Sequence, residues 1–129
     1  MTHQLNFIYN DSDWVCPSEY PDLSQAKEIA IDLETKDPNI KTNGSGWATF
    51  DGQIVGFAVA ALGQQWYFPI GHDAGGNMDI AMTTAWMQDI LKTNSTKIFH
   101  NASYDVGWLL VNGFEIRGKI VDTMIAAAI

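Results

Sequence analysis

The stretch Ile29-Ala30-Ile31-Asp32-Leu33-Glu34-Thr35 decides how the rest of the chain is read. It is short, partly β-branched and stops before a breaker, Asp37-Pro38, so it predicts a strand over residues 29–35. Asp32 and Glu34 stand two apart, and on a strand both carboxylates point to one face. The residues flanking them are apolar, which places the strand inside a sheet rather than at a solvated edge. Two like charges in a mostly buried strand are costly unless a cation neutralises them. The pair therefore reads as a divalent-metal site; the plain alternative is a strand end with two solvated acids.

Downstream of that strand, Asn39 to Asp51 holds Asn43-Gly44-Ser45-Gly46 and reads as a surface loop. Gln53 to Leu62 reads as a second strand, Gly63-Gln64 as a hairpin break, and Gln65 to Ile70 as an antiparallel third strand, with Pro69 marking an edge. The glycine-rich loop Gly71 to Asn77 fits neither a P-loop nor a dinucleotide fingerprint. Asn77 is placed to cap a helix over 78–92, with Ile80, Thr84, Met87 and Leu91 on one core face and Met82 and Trp86 on a second. A short strand over 97–100 precedes a helix over 102–112, closed by Gly113. Ile120-Val121 is a further strand, and Asp122 caps a last helix over 123–129.

Residues 1–28 look irregular, with a short edge strand over 5–9 and a helical turn over 24–27, and form an extension to a domain over 29–129. The order β-β-β-α-β-α-β-α predicts an α/β fold with a mixed sheet and helices against it. The last helix is apolar and uncapped, so a longer domain is expected to continue past Ile129.

Composition narrows the chemistry. The 129 residues are 47% apolar and 17% charged, below the ~25% of an average chain, which argues against disorder. No apolar run reaches the ~18 residues of a membrane span, and no basic leader is seen, so a cytoplasmic protein without membrane contact is expected. Cys16 is the single cysteine, and His3, His72 and His100 are scattered, so a metal site must use oxygen ligands, which suits magnesium or manganese. Fifteen acidic residues against seven basic ones give a net charge of -8, which disfavours a sequence-independent nucleic-acid coat. Such a chain still binds a nucleic-acid end if metals bridge its carboxylates to phosphate. Trp47, in the Gly-Ser-Gly loop, is the tryptophan best placed to touch a base; Trp86 and Trp108 read as core.

A second element joins the acid pair. Asn101 and Asp105 stand four apart on a predicted helix and share a face. That helix starts right after a strand, and its N-terminus favours a nearby phosphate. Two acids on a strand with a third acid and an amide on a helix is the layout of two-metal phosphodiester hydrolysis, in which cations about 3.5–4 Å apart clamp the attacking and leaving oxygens. The plainer roles are an N-cap for Asn101 and a solvated helix position for Asp105.

These residues carry a family resemblance. Ile29-Ala-Ile-Asp-Leu-Glu-Thr35 resembles the first motif of DEDD-type 3′–5′ exonucleases, and Phe99-His-Asn-Ala-Ser-Tyr-Asp105 with Gly107-Trp-Leu-Leu110 resembles the second. Val121-Asp-Thr-Met124 is similar to the Asp-Thr segment that follows. Tyr67-Phe-Pro-Ile-Gly-His72 with Gly76-Asn77 is similar to the hairpin region of phage and bacterial family A DNA polymerases. The resemblance spans about residues 5–129 and implies a ribonuclease H-like fold and a proofreading exonuclease of single-stranded DNA 3′ ends, beside a polymerase domain absent from this chain. For a phage-encoded protein the compartment is the host cytoplasm.

The resemblance further implies that Asp32 bridges two Mg2+ or Mn2+ ions, Glu34 binds the one that activates water, and Asp105 holds the second. It implies as well that Thr35, Asn101 and Tyr104 contact the terminal nucleotides and that Asp122 supports the site, beside its plainer role as a helix N-cap. The family's third motif, which brings a fourth carboxylate, has no counterpart before Ile129, so the isolated chain is expected to be slow or inactive. A ribonuclease D-like RNA exonuclease and an inactive nucleic-acid-binding fragment are the alternatives.

Overall fold

The computed structural model describes residues 15–124. Five strands form one mixed sheet in the order β3-β2-β1-β4-β5. They are β1 (Glu28–Lys36), β2 (Gln53–Ala61), β3 (Gln64–Pro69), β4 (Thr96–Phe99) and β5 (Ile120–Asp122). β1 is central: it pairs antiparallel with β2 and parallel with β4, as its apolar flanks predict. β3 is an edge, which accommodates Pro69. The β2–β3 turn places Leu62 (φ 54°) and Gly63 (φ 74°) both in the left-handed region, the conformation of a two-residue I′ hairpin.

Alternation along β1 sorts its side chains. Ile29, Ile31 and Leu33 are buried in the core with Phe57 and Val59 of β2, while Asp32 and Glu34 face the other way. Cross-strand partners agree: Ile31 lies opposite Val59 and Leu33 opposite Phe57, whereas Asp32 meets Ala58 and Glu34 meets Gly56. Each large apolar side chain in that row contributes roughly 1.5–3 kcal/mol on burial. A one-residue slip would turn the whole row outward, so the register that fixes the two acids is strongly held. It shifts between Glu34 and Thr35, where a bulge re-aims the strand end.

Two helices complete the layer: α3 (Ile80–Leu91) and α4 (Ala102–Val111). The loop expected over 39–51 instead holds two single turns, α1 (Ile40–Asn43) and α2 (Gly46–Thr49). Two expectations for α3 are corrected. Its N-cap is Asp79, whose side chain accepts from the Met82 N–H at 2.9 Å. Asn77 instead clips its own loop, bonding the backbone N–H and C=O of His72 at 2.8 Å each. The buried stripe is Thr83, Met87, Ile90 and Leu91, and Ile80 and Met82 are exposed at 59% and 61%. The helix is rotated because Thr83 is held at 2.7 Å by Tyr20 and Trp86 donates to the Pro21 carbonyl, contacts from a segment distant in sequence.

α4 matches its expected span and ends at Asn112–Gly113, the glycine at φ 86°. Lys97, fully buried, donates to the carbonyls of Thr93, Ser95 and Arg117 and so ties the end of α3 to β4. The start of the predicted last helix is described at residues 123 and 124; its remainder, like the edge strand over 5–9, lies outside the described residues. Among the described residues no helix is long and apolar enough to cross a membrane.

Candidate active site

β1 presents Asp32 and Glu34, and the first turn of α4 presents Asp105. Asp105 is 1% exposed, so it is not a solvated helix position. Its Oδ2 accepts from the backbone N–H of Leu33 at 3.4 Å, which sets the third carboxylate against β1 at the residue that separates the other two acids in sequence. Burial, and then the negative charge of Asp32, push the Asp105 carboxyl up to about 8. Burial also pushes Asp32 up to about 6, partly offset by His100. Glu34 moves the same way, through burial and the neighbouring Asp32.

The three acids therefore interact through Asp32, but they do not converge. Among the described residues no three His, Cys, Asp or Glu side chains gather closely enough to enclose an ion. The donor set still fits a hard divalent cation. It is all oxygen, Glu34 Oε2 is buried with no hydrogen-bond partner, and neither Glu34 nor Asp105 takes part in an ion pair among the described residues. Beside Asp32, a cleft of about 330 Å3 is lined by Ala30, Ala58, Ala60, Ile98 and His100.

Of the residues expected at the terminal nucleotide, Thr35 and Tyr104 are drawn together. Thr35 Oγ1 and the Tyr104 hydroxyl lie 2.8 Å apart, at the bulged end of β1 and the start of α4. Asn101 occupies the N-cap position of α4 in the left-handed conformation (φ 67°), but its side chain makes no capping bond. Asp122 supplies the cap instead. Its carboxylate accepts from the N–H groups of Asn101 and Ala102, both at 3.0 Å, and also from Met124. It thus caps the expected last helix at its start and holds the head of α4 at the same time.

Two features escaped the sequence reading. Asp37, read only as half of a strand breaker, accepts from the Tyr104 hydroxyl at 2.8 Å and from the Gly46 N–H at 3.0 Å. The Tyr67 hydroxyl lies 2.5 Å from His72 Nε2 and passes over Gly56, the cross-strand partner of Glu34. Trp47 is half-buried, with its ring against Gly107 of α4. Gly46 leaves room for the Asp37 contact: a Cβ there would fall 2.7 Å from Asp37 Oδ1.

The profile of the 3′–5′ exonuclease family matches residues 20–129. A DNA-directed DNA polymerase of Pseudomonas phage M6 is 34% identical over 116 residues, covering 86% of this chain and 18% of the polymerase. Among solved structures, Brucella melitensis NrnC superposes with a TM-score of 0.53 at 23% identity over 83% of this chain and 46% of NrnC. NrnC has also been solved with bound Mg2+. The POL domain of Pol1 from M. smegmatis, in complex with DNA primer-template and dNTP, gives 0.56 at 17% identity over 84% of this chain and 18% of that one. The Aedes aegypti Nibbler EXO domain gives 0.56 at 12% identity over 83% and 48%. At these identities the structural likenesses speak for the fold, which is the ribonuclease H-like α/β arrangement. The family profile and the phage relative speak for the family: this chain belongs to the 3′–5′ exonucleases, as an exonuclease domain similar to that of a phage DNA polymerase.

Proposed function

We propose that the chain removes terminal nucleotides from single-stranded DNA 3′ ends, as the proofreading part of a polymerase. The observation that carries the reading is the buried Asp105 carboxylate set against β1 beside Asp32 and Glu34. Asp32, Glu34 and Asp105 are the groups that would hold two Mg2+ or Mn2+ ions. When bound, such ions stabilise charge on the attacking water and on the departing 3′ oxygen. Burial leaves the Asp32 and Asp105 carboxyls reluctant to ionise, so ions held there would have to displace protons from them.

The rest is positioning by the chain itself. Thr35 and Tyr104, already bonded to each other, bear on the terminal nucleotide from β1 and α4. Asn101, at the head of α4, faces the next phosphate with the partial positive charge of the helix end behind it. Asp122 keeps that helix end in place. Water adds to the terminal phosphorus, the bond to the 3′ oxygen breaks, and a nucleoside 5′-monophosphate leaves a strand one residue shorter. This reading puts the protein in the cytoplasm, that of the host if it is phage-encoded, with a polymerase segment as its partner.

The test uses 5′-labelled single-stranded DNA and matched RNA with Mn2+. A ladder shrinking from the 3′ end, faster on DNA, supports the reading. Faster loss of RNA would turn it into an RNA-processing exonuclease. Binding without any shortening would make the chain a non-cleaving end-binding module.

A further inference from the structure

The Asp37 carboxylate joins three parts of the fold that lie far apart in sequence. Its Oδ2 accepts from the Tyr104 hydroxyl at 2.8 Å and from the Gly46 N–H at 3.0 Å. The Tyr104 hydroxyl also meets Thr35 Oγ1 at 2.8 Å. Thr35 directly follows Glu34, and Tyr104 directly precedes Asp105. The run Thr35–Tyr104–Asp37–Gly46 therefore begins one residue from two of the three site carboxylates and ends at α2.

From there the strap over 39–51 lies on α4. A Cβ on Gly107 would fall 2.4 Å from Trp47 Cε2, so the indole sits directly on the helix two residues past Asp105. Asn39 Nδ2 bonds Asp51 Oδ2 at 2.8 Å and closes the base of the strap. A Cβ on Gly46 would fall 1.9 Å from the Asp51 carbonyl, so only glycine lets that segment reach Asp37. Asp37 Oδ1 remains buried with no hydrogen-bond partner. Leaving such an atom unpaired is costly.

We propose that Asp37 is a positioning residue. Through Tyr104 and Gly46 it locks the strap onto α4 and aims Tyr104 and Thr35 at the 3′-terminal nucleotide. This rests on the exonuclease reading above and extends it to a residue that touches no reacting atom.

The experiment compares Asp37→Ala, Asp37→Asn, Tyr104→Phe and the double variant Asp37→Ala/Tyr104→Phe. Affinity is measured in Mn2+ for single-stranded DNA whose terminal linkage is a phosphorothioate, and kcat and KM on ordinary DNA. Asp37→Ala is expected to weaken binding and raise KM by about tenfold or more, the scale of a misplaced positioning group. Asp37→Asn keeps an acceptor oxygen for both donors and is expected to stay close to wild type. In the Tyr104→Phe background, Asp37→Ala is expected to add almost nothing, because the two act in series.

Unchanged binding in a folded Asp37→Ala protein, or losses that simply add, would overturn the proposal while leaving the exonuclease reading intact. A wild-type chain that neither binds nor shortens DNA would overturn both. If Asp37→Ala fails to fold, Tyr104→Phe alone decides. It is expected to weaken binding and speed amide exchange over 44–52, and no change in either would overturn the proposal.

Discussion

The Asp105 carboxylate, on α4, accepts a hydrogen bond from the backbone N–H of Leu33, on β1, at 3.4 Å. The contact spans 72 residues of sequence and fixes where the helix meets the sheet. Burial, and then the negative charge of Asp32, raise the Asp105 carboxyl to about 8, against the lowering effect of this hydrogen bond.

Stability without metal should therefore fall as pH rises. Asp105 and Asp32 titrate at about 8 and about 6 in the folded chain, against an ordinary value of 3.8. The folded state thus binds more protons than the unfolded one between these limits. Their contribution is fully present below about pH 4 and lost as pH climbs through 6 and then 8. Asp105→Asn removes the largest part of this, so in EDTA at pH 8 the variant should melt several degrees above wild type, and at pH 4 or below close to it. At this size each kcal/mol moves Tm by about 4 °C. Parallel melting curves across pH would show that Asp105 ionisation is not opposed by the fold.

Metal affinity should run the other way. Ion binding displaces protons from the raised acids, so Mn2+ affinity should rise between pH 6 and 8, by up to about tenfold per pH unit while one proton is displaced. The rise should level off above the Asp105 value of about 8. Calorimetric titration checks this, and Asp105→Asn should flatten the upper part of the profile. A pH-independent affinity would place the ions elsewhere.

Gly56→Ala tests the packing beside Glu34. A Cβ there would fall 1.8 Å from the buried Tyr67 hydroxyl, which is bonded to His72. The intrinsic gain from replacing a strand glycine is about 0.5–1 kcal/mol. Overpacking costs typically about 1–3 kcal/mol, and a displaced buried hydroxyl a further 1–3 kcal/mol or so. The clash wins, so a net loss of about 2 kcal/mol is expected in denaturant unfolding. A stabilised variant would mean that Tyr67 moves aside freely.

β1 and its two acids were legible in the sequence because alternation on a buried strand leaves one register. α4 was legible too, since a strand before it and a terminal glycine after it bracket it, although its cap comes from Asp122 rather than Asn101. The burial of Asp105 was less visible, because it depends on how α4 meets β1 across 72 residues. The face of α3 was misjudged for a related reason: Ile80 and Met82 are apolar, yet Tyr20 and Pro21 hold Thr83 and Trp86 inward. Asp37 could not be found by local reasoning at all. Its partners Tyr104 and Gly46 converge only in the fold, and Asp37-Pro38 looks locally like a turn.

The most direct test of the central claim is Mn2+-dependent digestion of 3′-labelled single-stranded DNA by wild type and Asp32→Ala. Wild type is predicted to release the label as a nucleoside 5′-monophosphate, and the variant to do so at least about a hundredfold more slowly. That factor corresponds to losing several kcal/mol of metal-assisted stabilisation. Equal release by the two proteins, or none by wild type, would contradict the claim.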